Sequence, residues 1–111
     1  MSAAWTACCG PTGGAYRSEL VRLELASGKV ARLAEGDFVF GEPVFVPRPG
    51  ATREGEGVLL SVASHPTDAR AALAVVDAET LDVRAWAETD VPIPLGFHGS
   101  FLRAGEEAKP A

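Results

Sequence analysis

The chain repeats itself. A slide of 53 positions sets Leu20 on Leu73, Val30 on Val83, Ala34 on Ala87 and Glu35 on Glu88 without a gap. Similar pairs fall between them: Leu23 with Val76, Glu24 with Asp77, Leu33 with Trp86. Both copies read as strand, turn, strand. In the first, residues 20–25 (LVRLEL) alternate in part between apolar and charged, 26–29 supply a turn, and 30–33 resume the alternation. In the second, residues 72–77 and 83–88 flank a turn at 78–82. Two more strands lie between the copies. One is residues 44–46, entered through Glu42-Pro43; Pro43 cannot donate a ladder bond and belongs at a strand's beginning or on an edge. The other, residues 58–63 (VLLSVA), is the most hydrophobic strand of the chain. Residues 100–103 read as a last strand. No window of helical length carries a clean 3.6-residue apolar period; the best, residues 67–76, ends in Val75-Val76, which with the following Asp77 fits a strand end better.

Repeats of roughly 40–50 residues built from four strands mark a β-propeller, and even a four-bladed ring needs on the order of 160 residues. With 111 residues the chain cannot close such a ring alone. The expected fold is all-β, a partial β-propeller: about one full four-stranded blade plus parts of its neighbours. The competing fold is a small β-sandwich or meander whose hairpins agree by chance. Residues 1–18, centred on Gly10-Pro11-Thr12-Gly13-Gly14, read as an irregular N-terminal segment, 19–103 as the partial propeller, and 104–111 as a polar tail.

Composition narrows the function. Hydrophobic residues make up 47% and charged residues 23%, which excludes a disordered chain of low hydrophobicity. A net charge of -5 without a basic stripe speaks against nucleic acid, and no polybasic run suits an anionic membrane. Residues 1–5 lack the basic and apolar regions of a signal peptide, and no apolar stretch reaches the roughly 18–20 residues of a spanning helix. The expected location is cytoplasmic. Cys8 and Cys9 are adjacent, a spacing that seldom allows an unstrained disulfide, and no Cys/His cluster suggests zinc. Ser61, Ser64 and His65 are close in sequence, but no nucleophile elbow surrounds them. His65, in the polar run Ser64-His65-Pro66-Thr67, is expected to face solvent. The glycines at 10, 13 and 14 lack the lysine and following helix of a phosphate-binding loop.

Two stretches carry a resemblance. The first is Gly41-Glu42-Pro43-Val44-Phe45-Val46-Pro47-Arg48-Pro49-Gly50-Ala51, running on to residues 57–62. The second is Val91-Pro92-Ile93-Pro94-Leu95-Gly96-Phe97-His98-Gly99-Ser100-Phe101. Both resemble the C-terminal part of the carotenoid cleavage oxygenases, the family that includes the retinal pigment epithelium retinoid isomerase. The likeness covers about residues 16 to 103. It implies a seven-bladed propeller with a non-haem Fe(II) on its axis, held by four histidines from different blades. The implied reaction uses O₂ to split a double bond of a carotenoid or apocarotenoid into two carbonyl products, with no organic cofactor. The resemblance makes His98, in Gly-Phe-His-Gly, a metal ligand, and Glu42, in Glu-Pro-Val-Phe-Val, the carboxylate one layer out that supports a ligand histidine. The chemistry agrees: neutral imidazole suits Fe(II), and a carboxylate accepting the ring's other N–H orients it and offsets charge.

The chain holds two histidines, His65 and His98. Three of the four implied ligands are missing, as are most blades and most of the substrate tunnel. The expectation is therefore a C-terminal fragment of such a dioxygenase, catalytically silent as an isolated chain. The family's peripheral membrane contact has no identifiable patch in this stretch. The alternative is a non-enzymatic, degenerate β module that pairs its open strand edges with itself or with a partner.

Overall fold

The computed structural model describes residues 3–12, 15–34, 38–65, 70–93 and 99–105. Among them the chain forms eight β-strands and no helix. β1 (Ala3–Thr12), β2 (Ala15–Glu24) and β3 (Val30–Leu33) make an antiparallel three-stranded sheet in that order. The second sheet comprises β4 (Val39–Phe40), β5 (Val44–Pro47), β6 (Gly57–Ser64), β7 (Ala71–Asp77) and β8 (Val83–Thr89). Its order is β4-β6-β7-β8, and β5 pairs with the same strand, β6, as β4 does. β4 and β5 thus act as one interrupted edge strand, and the second sheet is a four-stranded antiparallel meander. The first sheet is three strands of the same plan.

The internal repeat is structural. Val76 faces Val83 as Leu23 faces Val30, the same register carried 53 positions on. A bulge between Val75 and Val76 then shifts the second ladder by one residue. The two turns share their hydrogen bonds. The Glu24 amide donates to Lys29 O (2.9 Å) and the Gly28 amide to Glu24 O (2.8 Å); in the second copy Asp77 donates to Asp82 O (2.8 Å) and Leu81 to Asp77 O (2.9 Å). Ser27 Oγ accepts from the Lys29 amide as Thr80 Oγ1 accepts from that of Asp82, each at 3.2 Å. The fifth turn residue is left-handed in both, with φ +74° at Gly28 and +62° at Leu81. Glycine takes that conformation freely, whereas a leucine there costs about 1–2 kcal/mol. Leu81 is buried, and burying its side chain returns a similar amount.

The two sheets pack face to face, and one core lies between them. Leu20 from the first sheet joins Phe40, Leu59, Ala63, Ala74, Val76, Ala78 and Leu81 from the second. Small residues face one another across β6 and β7, Ser61 with Ala74 and Ala63 with Ala72. The space they leave is taken by rings: Phe40 lies 6.3 Å and Phe38 5.6 Å from Trp86. The alanine-rich composition is therefore a platform for aromatic packing rather than a weak core.

Three expectations change. Residues 3–12 and 15–18, read as irregular, are strand. Trp5 and Ala7 turn toward the core while Ala4 and Thr6 face out, a two-residue period masked in sequence by small residues. Trp5 joins the sheets: its indole N–H donates to Ala78 O at 2.8 Å and its ring stacks on Phe45 at 5.4 Å. Residues 100–103, read as a last strand, pair with no strand among the described residues and are exposed. His65, expected in solvent, is half-buried, and its ring meets Phe38 edge-on at 5.5 Å.

Ser18, buried on β2, locks the sheets at the strand edge. Gly41 N–H bonds Val62 O, so the β4–β6 ladder puts Phe40 at the intervening position, with its own N–H and C=O turned away from β6. Ser18 Oγ accepts from the Phe40 amide at 2.9 Å and donates to its carbonyl at 3.5 Å. Ser18→Ala strands that buried amide and should cost about 1–3 kcal/mol. Urea unfolding measures the loss, and hydrogen exchange should show the Phe40 amide among the most accelerated. Unchanged exchange at Phe40 would refute the role.

Candidate functional site

Glu42 sits where the edge strand changes register. Through Gly41 the strand keeps step with β6, Val39 facing Ser64 and Phe40 facing Ala63. From Val44 onward it is one residue out, facing Leu60. Glu42 and Pro43 therefore share a single opposite residue, Ser61, which is the geometry of a β-bulge. The sequence has a local reason for it. Pro43 has no N–H to give the ladder, and Ser61, fully buried, donates its hydroxyl to Gly41 O at 2.8 Å. That commitment also removes Ser61 as a nucleophile. A bulge re-aims the side chain it carries, and Glu42 is exposed there.

The strand resumes with close packing. A Cβ on Gly57 would overlap Val46 O and press on Pro47 Cα at 2.9 Å, so only glycine lets β5 lie this close to β6. The chain after β8 then returns across this sheet. Ser64 Oγ donates to Ile93 O at 3.3 Å, and Gly99 sits beside Val44, where a Cβ on Gly99 would be 3.5 Å from Val44 Cγ2. Gly99 is the sequence neighbour of His98, and Val44 lies two residues from Glu42. His98 itself lies outside the described residues.

No group of three or more His, Cys, Asp or Glu that could hold an ion occurs among the described residues. The whole sequence has two histidines, and His65 is committed to packing on Phe38. This chain by itself does not fit a four-imidazole iron centre.

A second candidate lies at the far end of β5 and β6, a cleft of about 490 Å³. Its charges are arranged in pairs. Arg48 and Arg53 both reach Glu56, at 2.8 and 2.7 Å, Arg53 also reaches Glu79, and Arg84 reaches Asp77. The hydrogen bond from Arg53 holds the Glu56 carboxyl below its ordinary range, against the burial that would raise it. Burial pushes Asp77 up, but the amides of Thr80 and Glu79 and the Arg84 guanidinium outweigh it and leave it lowered. The cleft is a charge network that ties the second hairpin's turn to the loop after β5, and sequence reasoning missed it because its members are scattered over residues 48–84.

The architecture defines the class: an all-β chain made of one complete blade and most of another, part of a β-propeller. The chain belongs to the retinal pigment epithelial membrane protein family, which it matches over residues 2–103. Among curated proteins it is similar to the mitochondrial carotenoid-cleaving dioxygenase of Mustela putorius furo, at 39% identity over 84 residues, 75% of this chain and 16% of that protein. The chloroplastic carotenoid cleavage dioxygenase 8 homolog A of Oryza sativa subsp. japonica is 37% identical over 92 residues, 83% of this chain and 16% of the relative. Among solved structures a Synechocystis ACO mutant has a TM-score of 0.74 at 28% identity, covering 81% of this chain and 19% of that one. An ACO/RPE65 chimera gives 0.74 at 26% identity with the same coverage. The chain thus spans less than a fifth of the length of these relatives.

Asp77 yields a prediction for the cleft. A carboxyl that titrates lower in the folded chain than in the unfolded one adds stability above the ordinary carboxylate range. That stability is lost as pH falls through the depressed folded value. Asp77→Asn keeps an acceptor for the two amides and removes the charge. Urea melts should find the variant less stable at pH 7, with the gap closing below about pH 4. A gap independent of pH would mean that the Asp77 charge contributes nothing.

Proposed function

We propose that this chain is the C-terminal portion of a non-haem Fe(II)-dependent dioxygenase that uses O₂ to cleave a double bond of carotenoids or apocarotenoids. In that enzyme His98 ligates the iron, and Glu42 accepts the free ring N–H of a ligand imidazole. The remaining ligand histidines come from other blades. The isolated 111-residue chain is silent, because two histidines cannot furnish the donor set.

The observation that carries the reading is the approach of the two motif segments. The segment after β8 passes Val44 at Gly99, immediately next to the bulge that holds Glu42. Chain that is distant in sequence is thereby gathered at one bulge on one edge strand. The names of the relatives support the substrate class: carotenoid-cleaving dioxygenases, and a torulene dioxygenase of Fusarium fujikuroi that is 41% identical over 64 residues.

A chimera tests it. Residues 16–103 replace the matching stretch of one of the dioxygenase relatives, and polyene cleavage and bound iron are measured together. The parent chimera should cleave. His98→Ala should lose iron and activity together. Glu42→Gln should lower activity or metal affinity about 10–100-fold, the usual cost of removing a carboxylate that orients a ligand histidine. An active, iron-replete H98A chimera would overturn the assignment of His98, and cleavage by the 111-residue chain alone would overturn its silence.

A further inference from the structure

We infer that Ser61 is a positioning residue: through the Gly41 carbonyl, its buried hydroxyl sets the direction in which the Glu42 side chain leaves the edge strand. The inference deepens the proposed function and rests on the part that reading gives to Glu42.

Ser61 stands where the strand pattern asks for an apolar residue. It alternates along β6 with Leu59 and Ala63, and all three are buried, Ser61 at 1% exposure. Across the ladder it faces Ala74, which is buried as well. A hydroxyl in such a place costs stability unless it is bonded. The bond it makes reaches back twenty positions along the chain, to Gly41 O at 2.8 Å. The hydroxyl therefore serves the edge strand rather than its own.

What it holds is a single peptide plane. The Gly41 C=O and the Glu42 N–H belong to one rigid unit, which turns about ψ of Gly41 and φ of Glu42. A Cβ at position 41 would lie 3.2 Å from Val62 O, tighter than ordinary packing, which favours glycine there. Glycine in turn leaves its own ψ unrestrained. The Gly41 amide donates to Val62 O at 2.7 Å, but that bond fixes the preceding peptide unit, not the one leading into Glu42. Ser61 fixes the latter. On the far side Pro43 confines Glu42 to extended backbone, and the ladder resumes at Val44 opposite Leu60. Without the hydroxyl, the peptide before Glu42 becomes a joint lying outside both ladders.

In the 111-residue chain, ¹⁵N relaxation should find the Glu42 amide rigid, with an order parameter of about 0.85. Ser61→Ala should lower it below about 0.6 or bring on µs–ms exchange. The Gly41 amide, still bonded to Val62 O, should stay rigid. Ser61→Cys keeps nearly the volume of serine and supplies only a weak donor. It should loosen Glu42 in the same direction, and it serves as the probe if circular dichroism shows S61A unfolded. Ser61→Thr retains the hydroxyl and should keep Glu42 rigid. A Glu42 amide as rigid in S61A, or in folded S61C, as in the parent chain would overturn the inference, whatever the chimera does.

In the dioxygenase chimera, Ser61→Ala should lower kcat about tenfold with KM little changed. It should add nothing to Glu42→Gln, because a residue that acts through the carboxylate has no further effect once that carboxylate is gone. Additive losses would reduce Ser61 to a structural residue and sink the inference. If E42Q cleaves at the parent rate, the catalytic reading of Glu42 falls instead, and the relaxation data on the chain still decide whether Ser61 holds the bulge.

Discussion

The arrangement of this chain depends on one hydroxyl at a strand edge. An edge strand presents backbone groups that β6 cannot satisfy, and Phe40 is buried, so water is a poor substitute. Ser18 supplies both an acceptor and a donor for Phe40 from the facing sheet. The bond ties the β4 edge to the first sheet at one residue, just upstream of the bulge. With Trp5 bonded to Ala78 O at the other end, the two sheets are pinned at two separated points. Relative sliding would break a polar bond at one end or a stacked ring and a hydrogen bond at the other. The apolar core between them gives cohesion; the two polar pins give register.

Much of this was legible in the residues, and the exceptions have physical reasons. The two hairpins were readable because their outer positions carry charges, so the alternation shows. The turn repeat was readable as sequence, yet its depth was not: nothing in Leu81 advertises a left-handed backbone, since the residue that takes it in the first copy is Gly28. β1 was missed because alternation between alanine, threonine and tryptophan has little contrast, and Gly10-Pro11 reads as a loop when it stands near a strand's end. β4 has two residues, too few to carry any period. His65 was misjudged because its neighbours in sequence are polar, whereas its neighbour in space is Phe38.

The site divides in the same way. Pro43 marked an edge or a strand start, and the structure makes it half of a bulge opposite Ser61. Ser61 offered no hint of its part, because a buried serine in a hydrophobic strand looks like any small core residue. Its bond to Gly41 O exists only once the bulge has freed that carbonyl. In the proposed reading the motif around Glu42 singles it out; its placement comes from the register shift, which no local pattern encodes. The charged cleft had no sequence signature, because arginine and glutamate on turns and strand ends are the ordinary surface of a soluble sheet.

What a pair of blades can contribute to a metal centre follows from these constraints. A ligand or its supporting carboxylate must be held within a fraction of an ångström, and a strand does this better than a loop. The Glu42 position is fixed on three sides: by the ladder through Gly41, by the ladder from Val44, and by the Ser61 hydroxyl beneath. That is a rigid mounting, and it is local, needing only this one blade. A set of convergent imidazoles is the opposite case, since it demands strands that face one another across an axis. Two sheets stacked face to face are neighbours and cannot surround a point. In the proposed reading the blade supplies the mounting for Glu42, while encirclement of a metal is a property of a ring.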